Sequence, residues 1–592
     1  MSSAGAGYRS LVEAYEQSLS DEARRVDGVH YTPHALARVL VELAVDVLGW
    51  VPRTVHDPTC GAGSFLLAAA DALFDRGVDP IEIVDRRLSG SELDPAAAAV
   101  ARSALERWAE DHGAPTGSTR ACIQVADTLL QTADAVAEHP AGVDLVVGNP
   151  PFLSQLATRT ARSEVARRAV VERYGAIGAY ADSASLFLRG SLDLVRPGGV
   201  VVMLQPQSFL AARDTAGVRA ELIARADLVS LWSTDALLFD ASVHVCAPVL
   251  RRRDRSSTAH TAAAPAPTAM STVEVYWVRG DLATTRLPPS TERAPRGEES
   301  WGPLFAPALG LPRVRPHGGA RLGSVATATA GFRDEFYALC EASVDLGEQS
   351  GVRTERAGER ASVMAEREGG GSGADDADGV VGRPRLITVG MIDPGRTSWG
   401  ERARRFGGRS QLAPVLDTAA LAAASPRVAA WAAKRLVPKV LVATQTRVVE
   451  VVADPLGAWV PVTPTISVEP IGVEPIGVDP TGPHSVESVW RVAAALLAPT
   501  VSAQALAEHL GAGLSPGALR WSARSVLQVE LPIDEEQWHQ GAGLARLLAV
   551  CASGDRSTVL AQLGAVMCRA HGVDPGDEVF DWWLERVLRA AA

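Results

Sequence analysis

The sequence predicts an α/β fold, a doubly wound and mostly parallel sheet, followed by a mixed α+β domain with a helical C-terminus. Three observations predict it. Between residues 53 and 250 short apolar strands alternate with helices of ~10–15 residues, the pattern of parallel strands linked by crossovers. A glycine-rich turn, Asp57-Pro58-Thr59-Cys60-Gly61-Ala62-Gly63-Ser64-Phe65, stands directly between the first strand and a helix. The 592 residues exceed the ~250–300 that one hydrophobic core can hold, so two or three domains are expected.

Residues 1–30 form an N-terminal extension whose mixed-charge stretch, 8–28, reads as one helix. Thr32-Pro33 is a helix-start signal, and Ala35, Leu36, Val39, Leu40, Leu43 and Val47 recur behind it at helical spacing. Strands are predicted at 53–56, at 81–85 continuing to Gly90, and at 121–125, 143–148, 200–204, 228–232 and 243–250. Helices at 64–75, 96–109, 183–195 and 213–225 complete a first domain, 31–255. Residues 256–320, rich in Ser, Thr, Ala and Pro, read as a linker with one late strand at 273–279.

The second domain, 321–592, carries two interruptions. Residues 347–383 are Gly-, Asp- and Glu-rich with nothing to pack, which predicts a flexible insertion. Residues 468–480 repeat a five-residue unit with a proline in each copy. Such a repeat cannot make helix or central strand, so an extended surface loop is expected. Helical patterns at 485–498, 502–510, 541–551, 557–571 and 577–590 end the chain.

Charge and cysteine usage exclude several classes. Lys+Arg 57 against Asp+Glu 69 gives a net charge of −12, wrong for a small basic nucleic-acid module but compatible with a local basic groove on a large enzyme. Lys434 and Lys439 are the only lysines. Cys60, Cys122, Cys246, Cys340, Cys551 and Cys568 have no metal-ligand spacing and read as reduced thiols; no metal is expected. The N-terminus shows no signal-peptide core, and the apolar run 198–204 is far below the ~20 residues of a membrane span. A cytoplasmic chain without membrane contact is expected.

The first chemical constellation is the glycine turn with two later acids. Gly61 and Gly63 permit a tight turn and close backbone approach to a ligand at the carboxyl end of a strand, where open α/β sheets bind ligands. The G-x-G-x-x-G pattern is missing, and no lysine precedes residue 434, so dinucleotide and P-loop readings lose their support. A nucleotide-like ligand without pyrophosphate remains. Glu92, after the next strand, can accept from ribose hydroxyls, and Asp127, after a third, can meet an adenine edge. One acid after one strand is most often a turn or cap residue. Three at successive strand ends make a site.

The second is Asn149-Pro150-Pro151-Phe152, after the near-continuous apolar run 143–148. The Asn149 side chain and the Pro150 carbonyl are acceptors whose direction the prolines hold fixed. Two such acceptors suit an exocyclic NH2, and both contacts strengthen as its nitrogen attacks a methyl group. Phe152 offers a face for a base.

With these motifs in place, residues 31–250 resemble the catalytic domain of S-adenosylmethionine-dependent DNA adenine-N6 methyltransferases, in the gamma-type order with the cofactor motif first. The resemblance implies the class I methyltransferase fold and S-adenosyl-L-methionine as cofactor. It places Tyr31, Thr32 and Pro33 on the methionine part, with Asp57, Thr59, Gly61 and Gly63 in the glycine loop. Glu92 falls on the ribose and Asp127 on the adenine of the cofactor. Asn149, Pro150, Pro151 and Phe152 match the catalytic tetrad, and Phe239, in Leu238-Phe239-Asp240-Ala241-Ser242-Val243, matches an aromatic that stacks on the flipped base. Leu322–Gly331, Pro438–Thr444 and the stretch from Leu519 to Pro532 resemble, more faintly, a TaqI-like target recognition region. Double-stranded DNA is the implied partner, with restriction or phage-defence subunits beside it.

Candidate DNA-contacting residues are Arg251, Arg252, Arg253, Arg402, Arg404, Arg405, Arg409, Lys434, Arg435 and Lys439, the 395–409 run standing out for its five arginines, two aromatics and glycines. Only 30 residues precede Tyr31 and no carboxylate-x-Lys cutting motif is found, so cleavage by this chain is not expected. Three rival functions stay open: N5-glutamine methylation of a protein, methylation of RNA bases, and a non-catalytic DNA-binding scaffold that keeps the cofactor fold.

Overall fold

The computed structural model describes residues 7–18, 32–129, 142–152, 164–175, 182–238, 243–254, 272–279, 290–349, 383–471, 483–513 and 518–591. The chain divides into two units, residues 1–308 with 510–512, and residues 309–509 with 513–592.

The first unit runs α1 (Gly7–Ser18), α2 (His34–Leu48), β1 (Val55–Asp57), α3 (Ser64–Phe74), β2 (Leu88–Glu92), α4 (Pro95–Asp111), β3 (Cys122–Val125), β4 (Val143–Gly148), α5 (Glu164–Tyr174), α6 (Ser183–Leu194), β5 (Val195–Met203), β6 (Gln205–Pro206), α7 (Ala216–Arg225), β7 (Ala226–Thr234), β8 (Val245–Arg252), β9 (Thr272–Val278) and β10 (Ser290–Arg293). Its sheet has the order β10-β9-β7-β8-β5-β4-β1-β2-β3, with β6 paired to β8. Strands β1 to β5 are mutually parallel, and β8 lies antiparallel between β5 and β7. This is a class I methyltransferase-like α/β core.

Because successive strand residues point to opposite faces, Leu145, Val147, Val200 and Val202 share one core with the buried sides of α1 to α4. The other face of the sheet packs α6 and α7. All six residues of β4 are buried, as its unbroken apolar sequence requires.

Three expectations need correction here. The apolar letters at 81–85 do not begin a strand. The Asp79 carboxylate accepts from the amides of Ile81 and Glu82 at 2.9 and 3.2 Å, and Pro80 occupies the first helical position. That cap winds 80–87 helically, with Ile83 and Val84 buried, and the strand starts at Leu88. The linker read at 256–320 contributes β9, parallel to β7, and β10, antiparallel to β9. Val273 and Val275 of β9 are buried in alternation with exposed neighbours, so these strands belong to the first unit. The repeat at 468–480 opens inside a strand, Ile466–Pro470, which sits between Ala326–Ala330 and Lys439–Val442. Val468 pairs on both sides, and Pro470 is tolerated as the last residue. Residues 472–480 lie outside the described residues, as do 350–382 of the other insertion and 19–28 of the predicted N-terminal helix. Gly347–Gln349 of that insertion belong to a short helix, Leu346–Gln349.

Among its described residues the second unit combines two four-stranded sheets and short hairpins with helices at Pro483–Leu496, Pro499–Glu508, Glu535–Val550, Arg556–Ala570 and Glu578–Ala591. It is thus mixed α+β with a helical end. Among the described residues no single helix is long and apolar enough to cross a membrane, and no group of three His, Cys, Asp or Glu is placed to hold a metal. Among the described residues none of the six cysteines forms a disulfide.

Candidate active site

The parallel strands end on one edge of the sheet, and the sequence motifs meet there. β1 ends at Asp57 and β2 at Glu92, next to β3 and β4. After Asp57 the chain turns through Gly61 (φ 52°) and Gly63 (φ 100°), left-handed conformations that favour glycine, and enters α3. The Asp57 carboxylate accepts from the Thr59 amide at 2.9 Å. Gly148, at the end of β4, must lack a side chain, because a Cβ there would stand 2.7 Å from Asp57 Oδ1. The glycine turn and the Asn149 loop are therefore in direct contact.

Glu92 is held by three backbone amides. Gly61 donates to Oε2 at 2.8 Å, and Leu93 and Asp94 donate to Oε1 at 2.8 and 2.9 Å. An ionised carboxylate has about four acceptor sites, so capacity is left for hydroxyl donors. The third loop joins through Thr128, whose hydroxyl donates to the Pro58 carbonyl at 2.8 Å. Asp127 beside it accepts from the Leu129 amide at 3.1 Å.

The Asn149 loop is fixed from two sides. Asn149 Nδ2 donates to the Thr32 hydroxyl at 3.0 Å. Ser183, at the start of α6, donates its hydroxyl to the Pro151 carbonyl at 2.6 Å. Pro150 is buried, and Phe152 is half-buried against the sheet core.

Residues 8–269 match the model of the N-6 DNA Methylase family. The type II methyltransferase M.VspI of Vibrio sp. (strain 343) is 25% identical over 219 residues, which is 36% of this chain and 45% of that relative. The match thus spans less than half the length of the curated relative. The type IIL restriction–modification enzyme MmeI, solved in complex with DNA, has a TM-score of 0.53 at 11% identity, over 100% of this chain and 80% of the other. The DrdV–DNA complex has a TM-score of 0.53 at 14% identity, over 93% and 60%. At these identities the likeness is one of fold. The N-terminal unit carries a methyltransferase-like fold related to the DNA methylases of restriction–modification systems.

In this domain the electrostatics of the site are acidic. Burial pushes the Asp57 carboxyl up to about 8, the Thr59 amide opposes the rise and the Glu92 carboxylate adds to it. Burial, with Asp57 and Glu92 nearby, raises the Cys60 thiol well above its usual range. A buried thiol so placed is inert packing.

Of the predicted site residues, the structure brings together Thr32, Pro33, Asp57, Thr59, Gly61, Gly63, Glu92, Asp127 and Asn149 to Phe152. Tyr31 and Phe239 lie outside the described residues. Sequence reasoning missed Asp182 and Ser183. Asp182 caps α6 by accepting from the Ala184 amide at 2.9 Å, and its burial raises it to about 6. The signal was present as an Asp-Ser pair before an apolar helix.

Several of the candidate DNA-contacting side chains have partners within the chain. Arg251 donates to the Val47 carbonyl and Arg252 to that of Val195, while Arg253 pairs with Asp227 at 2.7 Å. Because β8 is antiparallel, its Arg251 end lies between Val200 of β5 and Asp227, near the start of β7 and toward the sheet edge opposite the site. Lys439, 0% exposed, is bound to Asp454. Arg435 pairs with Glu469 at 2.7 Å. Arg402, Arg405, Arg409 and Lys434 are exposed, and Arg404 is half-buried.

Proposed function

We propose that this chain methylates the N6 amine of adenine in duplex DNA, at a specific sequence, with S-adenosylmethionine as donor. One observation carries the reading: the Asn149-Pro150-Pro151-Phe152 loop, tied to Thr32 and Ser183, abuts a glycine turn whose Gly61 amide donates to Glu92. The turn suits the cofactor. Nothing lies within 4 Å of a Cβ built on Gly61, so a ligand can approach the backbone closely. Glu92 keeps acceptor capacity for a ribose, and a bound cationic ligand would favour the charged form of the buried Asp57 beside it. Tyr31, Thr32, Pro33, Thr59, Gly63 and Asp127 complete the proposed cofactor site.

When bound, S-adenosylmethionine supplies an electrophilic methyl group. The chain supplies position and polarity. Asn149 Oδ1 and the Pro150 carbonyl accept the two amine hydrogens, contacts that strengthen as the nitrogen gains positive character. Pro151 keeps the loop rigid, and Phe152 and Phe239 hold the two faces of an adenine flipped out of its stack. Double-stranded DNA is the proposed partner. A cytoplasmic restriction–modification or phage-defence system, with other protein subunits, is the proposed setting.

Labelled methyl transfer tests this. Purified protein should label unmethylated duplex DNA at adenine N6, and Asn149→Ala should lower the rate by at least ~100-fold, the scale of one preorganised transition-state partner. Label in RNA or in protein glutamine would overturn the DNA assignment. Tight DNA binding without transfer to any acceptor would make the chain a scaffold.

A further inference from the structure

In the second unit a group of charged side chains is not consumed by its own contacts. Ile392–Asp393 pairs with Arg396–Thr397 as a short hairpin, and the Gly395 amide in its turn donates to the Val451 carbonyl at 2.8 Å. This docks Asp393 near Glu450, close enough for the two carboxyls to repel. The guanidinium charges of Arg556, Arg402, Arg404 and Arg396 act on Asp393, and of these Arg396 is already paired with Glu401. Among the described residues, neither carboxyl is taken up by an ion pair or a side-chain hydrogen bond.

Two of these arginines, Arg556 and Arg404, keep a donor without a partner among the described residues. Arg556, 7% exposed, gives one nitrogen to the Pro394 carbonyl at 2.6 Å and leaves Nη1 buried without a partner. Arg404 lies over Gly390, with its Cδ 3.7 Å from the place of a Cβ there, and its Nε has no partner. Burial raises both carboxyls, Glu450 to about 8, despite the cations around Asp393. Unmet donors and acceptors in one half-buried place are costly unless a ligand answers both.

A phosphodiester would satisfy the arginines but offers no donor to the carboxyls. The major-groove edge of a G·C pair answers both, since guanine O6 and N7 accept while the cytosine amine donates. We propose that this cluster reads a G·C pair of the target sequence, with Arg404 donating to guanine and Glu450 accepting from cytosine. Arg556 anchors the hairpin that carries Asp393, through the Pro394 carbonyl. Arg405 and Arg409, exposed on the adjoining hairpin of Arg404–Phe406 and Arg409–Gln411, are suited to the flanking phosphates. The assignment rests on the reading of this chain as a DNA methyltransferase.

The test uses the full chain. Single-molecule sequencing gives the methylated motif, and single-turnover methylation is then measured on duplexes changed at each position. The motif should contain a G·C pair at which Arg404→Ala and Glu450→Ala each lose about 10-fold or more of discrimination, the scale of one good base contact. Discrimination elsewhere in the motif should stay. Placing 7-deazaguanine in that pair should slow the wild type by a similar factor and leave Arg404→Ala unaffected. If a variant is inactive, the 7-deazaguanine result on the wild type decides. An unchanged motif in both variants, or indifference of the wild type to 7-deazaguanine at every guanine, would overturn the assignment while leaving the methyltransferase reading intact. A wild type that methylates no DNA would instead overturn that reading, and the base-reading site with it.

Discussion

Asn149 donates its Nδ2 hydrogen to the Thr32 hydroxyl across 3.0 Å, joining residues 117 positions apart. With nitrogen toward Thr32, Oδ1 is turned to the other side, as an acceptor for an amine must be. Pro33 follows Thr32 and begins α2, its carbonyl accepting from the Leu36 amide at 2.9 Å, so the hydroxyl is held by a helix start. A segment far away in sequence thereby positions the catalytic side chain.

Thr32→Ala should therefore slow methyl transfer by about 3–10-fold, the worth of one neutral hydrogen bond. Cofactor affinity should change much less. Thr32→Ser restores the hydroxyl and should recover most of the rate in a single-turnover assay. A serine variant as slow as alanine would assign the effect to the lost methyl group and its packing.

Glu92→Gln tests the acid at the end of β2. The substitution keeps the shape but turns an NH2 toward backbone amides that now donate to a carboxylate. It removes charge-assisted acceptance as well. Calorimetry should show S-adenosylmethionine bound roughly 10–100-fold more weakly, about 1.5–3 kcal/mol. An unchanged dissociation constant would remove Glu92 from the cofactor site.

Asp57 carries a pH dependence whose sign follows from its burial. Its folded value, about 8, lies above the ordinary carboxylate range, so between roughly pH 4 and pH 8 the folded chain holds a proton that the unfolded chain has released. Stability from this group is complete at the acid end and falls as the pH rises through that window. Asp57→Asn keeps an acceptor for the Thr59 amide and cannot ionise. Urea unfolding of the ligand-free protein at pH 6 and at pH 8.5 should show the wild type losing more stability than the variant over that interval. Parallel losses in the two proteins would mean that Asp57 stays charged when folded.

The catalytic edge was legible in the sequence because its chemistry is local. Glycines at left-handed positions, an acid after each strand and a proline-locked loop all declare themselves within a few letters. The contacts that join these pieces were not legible. Nothing near Thr32 points to Asn149, and nothing near Gly148 points to Asp57. The apolar letters of Ile81, Ile83 and Val84 suit strand and buried helix alike, and the Asp79-Pro80 cap decided between them. In the second unit, formal charge misled: a lysine in an acid-rich chain invites a DNA contact, yet only burial separates a surface cation from half of an internal ion pair.

Lys439 is that internal half. It lies in the strand Lys439–Val442 with 0% of its side chain exposed, bound to Asp454 and to the Val437 carbonyl at 3.1 Å. Burial pulls its pKa down, and Asp454 opposes that fall without reversing it. Asp454 in turn accepts from the amides of Ala458 and Trp459, each at 3.0 Å. Lys439→Met preserves length and apolar packing but leaves the carboxylate buried without its cation. The expected cost is about 3–5 kcal/mol, toward the lower end because the two amides remain. Adding Asp454→Asn removes the stranded charge and keeps an acceptor, so the double variant should recover part of that loss. Tryptophan fluorescence during urea unfolding would follow both proteins. Duplex binding by the single variant, measured where it is still folded, should match the wild type, since the ammonium never reaches the surface. Weakened DNA binding with undiminished stability would put Lys439 on the nucleic-acid face after all.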